Sequence, residues 1–211
     1  MKNFLAVDTS CGYMSVVAAK NGRIVSSFTP DCAMRHSVLL MEKIDETLKK
    51  ADLTIEECDF FGAVVGAGSF TGIRIGISAV KGFCLATGKP ALPITSFEVA
   101  AYNAIDERQG RKTLCLVDAL HDCYYACGFD GDEIVYPPAY LTEAEVLALC
   151  DQGYVLCACD ELPVSQKAAV QKTDPVVGLE KAAIALSEKG KFGALDALYI
   201  RKSSAELNAG R

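Results

Sequence analysis

The amino-acid sequence predicts an α/β protein with two lobes, each built on a mixed β-sheet with helices on its faces. The first half has the element order β-β-β-α-β-α-β-α, in which an antiparallel opening is followed by crossover connections. The second half opens with three strands again, and an aspartate ends the first strand of each half, Asp8 and Asp118. We therefore predict a duplicated unit, with residues 1–105 as the N-terminal lobe and residues 106–211 as a reduced C-terminal lobe whose final segment returns to the N-terminal lobe.

Hydrophobic patterns define the elements of the first half. Apolar and β-branched runs predict its strands, and apolar residues at helical spacing predict its helices. Asn21-Gly22 is typical of a two-residue hairpin turn, and Gly88-Lys89-Pro90 ends the second helix. The predicted strands are 4–7, 14–19, 23–28, 60–65 and 91–94. The predicted helices are 37–50, 70–87 and 97–105, with a short helical turn at 54–57.

The second half partly repeats this order. Thr142 and Glu145 form a capping-box pattern that begins a helix ending near Cys150. A further helix is predicted at 180–189, before a strand-like segment at 197–200. The predicted strands are 113–117, 124–129, 133–136 and 154–159.

The composition indicates a globular protein without a nucleic-acid groove of its own. The chain has 211 residues, of which 51% are hydrophobic, and a formal net charge of −6, with no Lys/Arg block longer than two residues. The N-terminal apolar run is too short for a signal peptide, and no stretch approaches the roughly 18–20 apolar residues of a membrane span. We expect a cytoplasmic protein whose ten cysteines are mostly buried, reduced thiols. The close pairs Cys123/Cys127 and Cys157/Cys159 are poorly spaced for a zinc site.

A glycine-rich run joins a predicted strand to a predicted helix. Residues 66–76 read G-A-G-S-F-T-G-I-R-I-G, and backbone N–H groups at the helix N-terminus could cradle a phosphate. Position 73 is Ile and no Lys follows, so the run is not a Walker A loop. A tight connection with Ser69 or Thr71 as N-cap explains it better. The candidate residues for a nucleotide are Asp8, Ser10, Gly66, Gly68 and Ser69.

The helix after this run carries a stripe of small residues. Gly72 and Gly76 are four residues apart, and Ala79 and Gly82 continue roughly the same face. Glycine inside a helix costs about 0.5–1 kcal/mol relative to alanine, so the stripe indicates a compensating close contact. From the residues alone, packing against a foreign helix and packing inside the chain explain the stripe about equally well.

Histidine chemistry has little support in the sequence. His36 and His121 are the only histidines, they fall in different predicted lobes, and neither has a nucleophile at a recognisable spacing. The segment G-S-F-T-G also lacks the pattern of a serine-hydrolase nucleophile elbow. We expect no catalytic triad.

The longest motif resembles that of a known family. The run G-A-G-S-F-T-G-I-R-I-G-I-S-A-V-K-G is similar to the G-P-G-S-F-T-G-L-R-I-G…A-K-G signature of the TsaB (YeaZ-like) proteins, non-catalytic partners in bacterial synthesis of threonylcarbamoyladenosine on tRNA. Ala67 and Leu120 depart from the family's usual Pro and basic residue. The resemblance implies the two-lobed actin/Hsp70-like ATPase fold, a duplicated ribonuclease-H-like βββαβα unit, with a shortened second lobe. Shorter matches are A-V-D-T-S at 6–10, R-H-S at 35–37, V-D-A at 117–119 and L-Y-I-R at 198–201.

The resemblance also implies a role. The chain would be a non-enzymatic scaffold that binds and stabilises a TsaD-type catalytic subunit through its N-terminal lobe. A TsaE-type ATPase would join the complex, the chain alone would form homodimers through the same surface, and tRNA would be bound only through the complex. The chain would have no cofactor of its own, and ATP or ADP would bind at the level of the complex. The expected partner-interface residues are Met34, His36, Leu40, Met41, Ile44, Gly72, Ile73, Gly76, Ala79 and Val80.

One segment separates this chain from the catalytic relatives. TsaD proteins carry an H-x-x-x-H metal pair on the helix after the strand that follows the glycine motif. The matching segment here is S-F-E-V-A, with Ser96 and Ala100 where two imidazoles would have to converge on one metal. We therefore expect no metal and no catalytic residue. The alternative function is a phosphotransferase or ATPase of the same fold that uses Asp8 and the glycine loop.

Overall fold

The computed structural model describes residues 2–104 and 110–201, which form two five-stranded sheets with helices packed against them. Each sheet contains both antiparallel and parallel strand pairs, as the sequence predicts. The first sheet consists of β1 (Phe4–Asp8), β2 (Met14–Lys20), β3 (Arg23–Thr29), β4 (Phe60–Val64) and β5 (Ala91–Ile94). The second consists of β6 (Thr113–Asp118), β7 (Cys123–Asp130), β8 (Glu133–Thr142), β9 (Val155–Ala158) and β10 (Val170–Lys172). The helices are α1 (His36–Ala51), α2 (Phe70–Thr87), α3 (Ser96–Ala104), α4 (Glu143–Asp151) and α5 (Pro175–Glu188).

The first sheet brings the end of β1 next to the glycine-rich loop, residues 66–69. Its strand order is β3-β2-β1-β4-β5, with β4 parallel to β1 and β5 parallel to β4. The β2–β3 turn has φ angles of 51° at Asn21 and 85° at Gly22, as a two-residue hairpin turn requires. Because β1 and β4 are parallel, their carboxyl ends lie at the same edge of the sheet, and Asp8 and the glycine-rich loop follow there.

Helices cover both faces of this sheet. β1 shows the alternation of a strand buried on two sides. Leu5 and Val7 face the core formed with α1 and α2, whereas Phe4 and Ala6 face the core formed with α5 and part of α3. Helix α5 belongs to the second half of the sequence but packs on the first sheet.

The second sheet has the order β10-β9-β6-β7-β8. Its strand β8 continues to Thr142 through Pro137 and Pro138, so the predicted end at residue 136 is wrong. Proline is tolerated there because β8 is an edge strand. The predicted capping box of Thr142 and Glu145 begins α4, which packs on one face of the sheet. The other face packs against α3, which therefore lies between the two sheets.

The C-terminal part differs most from the prediction. Helix α5 begins at Pro175 rather than at residue 180, because the Asp174 carboxylate caps it by accepting hydrogen bonds from the next two free backbone N–H groups. β10 is an additional short strand. Residues 197–200 form no regular strand, although the Leu198 N–H donates to the Val65 carbonyl at 2.7 Å. Residues 105–109 lie outside the described residues, so the boundary between residues 105 and 106 and the end of α3 at residue 105 stay predictions.

All ten cysteines are free thiols, and about half of them are fully buried. Cys115 and Cys157, on neighbouring strands, have their sulfur atoms 3.3 Å apart. Within residues 2–104 and 110–201, no group of three or more His, Cys, Asp or Glu side chains is arranged to hold a metal ion. No helix in these ranges has the length and apolar character needed to cross a bilayer.

Candidate functional site

The glycine-rich loop packs against the turn that follows β1. The Ser69 N–H donates to the Ser10 carbonyl at 2.6 Å. Gly68 has a φ of +144°, and a Cβ at this position would overlap the same carbonyl oxygen. A Cβ at Gly66 would come within 2.7 Å of the Leu198 carbonyl oxygen. The two glycines therefore allow close backbone contacts within the chain itself.

The small-residue stripe on α2 faces the end of β1. A Cβ at Gly72 would overlap the carbonyl oxygen of Thr9, and a Cβ at Gly76 would lie 2.6 Å from the Thr9 hydroxyl oxygen. That hydroxyl donates to the Gly72 carbonyl at 2.7 Å. The interpretation of Gly72 and Gly76 as contacts for a foreign helix is therefore wrong. The close contact indicated by the stripe is made inside the chain.

The other predicted interface residues divide into a buried and an exposed group. The His36 ring is buried, with Nε2 2.9 Å from the Tyr13 carbonyl oxygen. By contrast, Met34 is 94% exposed and Met41 is 54% exposed, and Ala79 is half-buried. The buried group contributes to the fold rather than to a free surface, and it consists of His36, Leu40, Ile44, Ile73 and Val80.

A groove of about 480 Å³ runs between α1 and α2 on their solvent side, and we call it the α1–α2 groove. Two exposed apolar residues on these helices were missed by the sequence analysis, Val38 (72% exposed) and Leu85 (89% exposed). The spacing of Val38 and Met41 was a readable signal, because residues i and i+3 share one helix face, and Met34 lies in the turn just before α1. The groove is lined by Ser37, Leu40, Met41, Phe70, Thr71, Arg74, Ile75, Ser78 and Ala79.

A larger cavity of about 800 Å³ lies between the two sheets, at the carboxyl ends of β1 and β6. Of the residues predicted for a nucleotide, Ser10, Gly68 and Ser69 line this interlobe cleft. Asp8 and Gly66 do not. The structure thus brings these five residues close in the fold, but only three of them face the cleft.

The two aspartates that end the first strand of each half have different environments. Asp8 is fully buried, and its Oδ1 accepts hydrogen bonds from the backbone N–H and the hydroxyl of Ser10 at 2.8 and 2.7 Å. Burial raises the pKa of Asp8, and the bonds from Ser10 oppose that rise. Asp118 is exposed at the cleft, where its Oδ1 accepts a bond from the Leu120 N–H at 2.8 Å. Both carboxylates therefore bind the backbone of the turn that follows their own strand.

The segment S-F-E-V-A, which was compared with the transferase's histidine pair, packs against the glycine-rich loop and the second sheet. Ser96 is buried, and its hydroxyl donates to the Ala67 carbonyl at 2.5 Å. The Ser96 and Ser10 hydroxyl oxygens lie 3.0 Å apart. Ala100 is buried against the second sheet. Ser96 thus joins α3 to the glycine-rich loop and to the β1 turn, and Ala100 has no atom that could bind a metal.

Comparison with known proteins shows to which family the sequence belongs. The sequence model of one family, described as TsaD, tRNA N6-adenosine threonylcarbamoyltransferase, matches residues 24–184. The chain belongs to this family. Within the TsaD family it is TsaB-like: it is 28% identical over 115 residues to the tRNA threonylcarbamoyladenosine biosynthesis protein TsaB of Buchnera aphidicola, covering 54% of each chain. The TsaB protein of Haemophilus influenzae is 28% identical over 124 residues, covering 58% of this chain and 52% of that protein.

The matches to full-length relatives are partial. A tRNA N6-adenosine threonylcarbamoyltransferase of Staphylococcus aureus is 35% identical over 106 residues, which cover 43% of this chain and 31% of the transferase. The TsaD-family chain thus spans about half the length of the TsaB relatives and about a third of this transferase.

Solved structures confirm the predicted fold class. YeaZ from Pseudomonas aeruginosa superposes with a TM-score of 0.74 at 20% identity, covering 94% of this chain and 100% of that one. A P. aeruginosa protein described as similar to peptidase YEAZ gives 0.77 at 19% identity, covering 95% and 100%. A polyphosphate/ATP-glucomannokinase from Arthrobacter gives 0.52 at 11% identity, covering 90% and 100%. The TsaB-like chain therefore has the two-lobed actin/Hsp70-like ATPase fold.

Proposed function

We propose that this chain is an accessory subunit in the biosynthesis of threonylcarbamoyladenosine on tRNA. In this role it binds and stabilises a TsaD-type transferase through the outer faces of α1 and α2. The names of the TsaB relatives support the pathway. Ser96 and Ala100, at the positions compared with the transferase's histidine pair, support an accessory rather than a catalytic role.

The observation that carries the proposal is the apolar strip beside the α1–α2 groove. Val38 and Met41, three residues apart on α1, are 72% and 54% exposed, and Met34, in the turn just before this helix, is 94% exposed. Large apolar side chains that are exposed together mark surfaces that other proteins cover. The strip is continuous with the groove, because Met41 belongs to both. That a TsaE-type ATPase joins the complex, and that the free chain forms homodimers through the same surface, stay predictions.

Replacing Met41 by Asp tests the proposal. The substitution places a carboxylate in the apolar strip but leaves the core of α1 intact, because the core-facing residues of this helix are Leu40 and Ile44. Central interface residues cost about 2 kcal/mol or more when removed, which corresponds to roughly 30-fold in affinity. Titration calorimetry with the purified transferase from the same cell should therefore show a loss of at least this size.

The matched control is Ile134→Asp. Ile134 is 55% exposed, almost the same as Met41, but it lies on β8 in the other sheet. This variant should bind the transferase as the wild-type chain does. Equal weakening by both substitutions would show that the binding surface lies elsewhere. If the wild-type chain does not bind the transferase at all, the proposed function is wrong.

The alternative function, a phosphotransferase or ATPase, has weaker support. The Asp8 carboxylate is fully buried, does not line the interlobe cleft, and accepts two hydrogen bonds from Ser10. The glycine-rich loop is packed against the chain's own backbone. The interlobe cleft itself is large enough for a small molecule, so the argument rests on the position of Asp8 and not on the size of the cleft.

A further inference from the structure

Arg74 stands out in the α1–α2 groove because it is the single charged residue among those lining it. The remaining lining residues are apolar or carry small hydroxyl groups. Arg74 is exposed, and it makes no ion pair with any carboxylate in the described parts of the chain. Among residues 2–104 and 110–201, Arg74 is thus a cation without an ion-pair partner on a surface of apolar and hydroxyl side chains.

The Arg74 side chain is held in place by two aromatic rings. Its guanidinium carbon lies 3.8 Å from the centroid of the Phe70 ring, a cation–π geometry. Its Nε donates a hydrogen bond to the Tyr199 hydroxyl at 2.9 Å. The Phe70 and Tyr199 rings stack with their centroids 4.5 Å apart. Because Nε is used, the two terminal nitrogens of the guanidinium fork remain for another acceptor.

The segment that carries Tyr199 is itself anchored to the first lobe. Leu195 is buried in the core between the first sheet, α1 and α2. The Leu198 N–H donates to the Val65 carbonyl at 2.7 Å. Tyr199 follows directly and reaches the N-terminal end of α2. The conformation of Arg74 is therefore set by a segment distant in sequence, which reduces the entropy lost when Arg74 binds a ligand.

We propose that Arg74 is a carboxylate receptor in the α1–α2 groove, and that the partner which fills this groove is an α-helix with an apolar stripe and one Asp or Glu placed over Arg74. This inference rests on the proposed function, and the helix belongs to the TsaD-type transferase. The apolar stripe contacts Met41, Ile75 and Ala79. Arginine and a carboxylate form paired, charge-assisted hydrogen bonds, which fix the register of the helix in the groove.

Tyr199 acts in this proposal as a positioning residue. Its hydroxyl accepts the hydrogen bond from Nε and so fixes the guanidinium at the groove that Arg74 lines. Tyr199→Phe keeps the stack on Phe70 but removes this hydrogen bond. Its effect on partner affinity should therefore depend on the presence of Arg74.

The test is titration of the purified transferase into the full-length chain and its variants at several KCl concentrations. Arg74→Gln should weaken binding about 10-fold or more, the range expected for losing a hydrogen bond to a charged group. The same substitution should reduce the salt dependence of the affinity, because screening acts on the ion pair. Tyr199→Phe should weaken binding less, and should add nothing when Arg74 is already Gln. Arg23→Gln, at an exposed arginine on β3 outside the groove, is the matched control and should leave both affinity and salt dependence unchanged.

The outcomes separate this inference from the function on which it rests. If the wild-type chain binds the transferase and Arg74→Gln binds equally well with the same salt dependence, the carboxylate receptor is wrong and the proposed function stands. If the wild-type chain does not bind the transferase, both fail. Sedimentation of the chain alone gives a third result: a dimer that Arg74→Gln dissociates, with transferase binding unchanged, would assign Arg74 to a second copy of the chain and overturn the proposal.

Discussion

The two faces of α2 use opposite kinds of residue for contact. The inner face is bare where it meets the end of β1, because Gly72 and Gly76 lie directly against Thr9. The outer face carries Phe70 and Arg74, which line the α1–α2 groove. Both faces make contacts within the chain, since Phe70 and Arg74 contact Tyr199, but Arg74 on the outer face stays exposed whereas Gly72 and Gly76 are buried.

The difference shows how small residues in such a helix should be interpreted. A glycine stripe allows another backbone to approach, and a backbone of the same chain can make that approach as well as a partner can. Exposed large apolar residues have no such internal explanation, so they are the better indication of a docking surface. The next two predictions test the inner face, where the largest effects on stability are expected.

Gly72→Ala should have the largest effect. The new Cβ would overlap the main-chain carbonyl oxygen of Thr9, and no change of side-chain rotamer can relieve this clash. Overpacking of this kind should lower the free energy of unfolding by roughly 3 kcal/mol, measured by urea denaturation.

The matched control lies on the same helix. A Cβ at Gly82 would meet no atom within 4 Å. Gly82→Ala should therefore raise the free energy of unfolding by about 0.5–1 kcal/mol, the usual gain of alanine over glycine in a helix. If the Gly72→Ala variant were as stable as the Gly82→Ala variant, the close contact of Gly72 with the Thr9 carbonyl would be contradicted.

A smaller effect comes from the contact of Gly76 with a side chain. The Cβ of Gly76→Ala would lie 2.6 Å from the Thr9 hydroxyl oxygen, so Thr9→Ala removes the atom with which it clashes. We expect the double variant to be about 1 kcal/mol more stable than the sum of the single effects, measured as a double-mutant cycle.

The same cycle between Thr9→Ala and Gly72→Ala provides the contrast. Because the clash at Gly72 involves the main chain of Thr9, removing the threonine side chain should give no rescue. Rescue of both glycine variants, or of neither, would contradict the distinction between the two contacts.

Local signals explain why α2 was predicted correctly from the sequence. It runs from Phe70 to Thr87 as predicted. The Ser69 hydroxyl accepts a hydrogen bond from the Gly72 N–H at its start, and Gly88 ends it with a φ of 70°. The same kind of signal, Asp174 before Pro175, marks the start of α5 and was overlooked.

Other features depend on distant parts of the chain and could not be predicted locally. Strand β8 continues through Pro137 and Pro138 because it lies at a sheet edge, which only the strand order reveals. The direction of the glycine stripe depends on Thr9, far away in sequence. That Asp8 is buried and does not line the cleft depends on how the β1 turn packs against the glycine-rich loop.

Site-specific photocrosslinking tests the central claim most directly. A benzophenone amino acid in place of Val38, exposed on the outer side of α1, should crosslink to the TsaD-type transferase when the two proteins are mixed. The same group in place of Ile134, on β8, should not. Crosslinking from position 134 without crosslinking from position 38 would show that the transferase binds a surface other than the outer faces of α1 and α2.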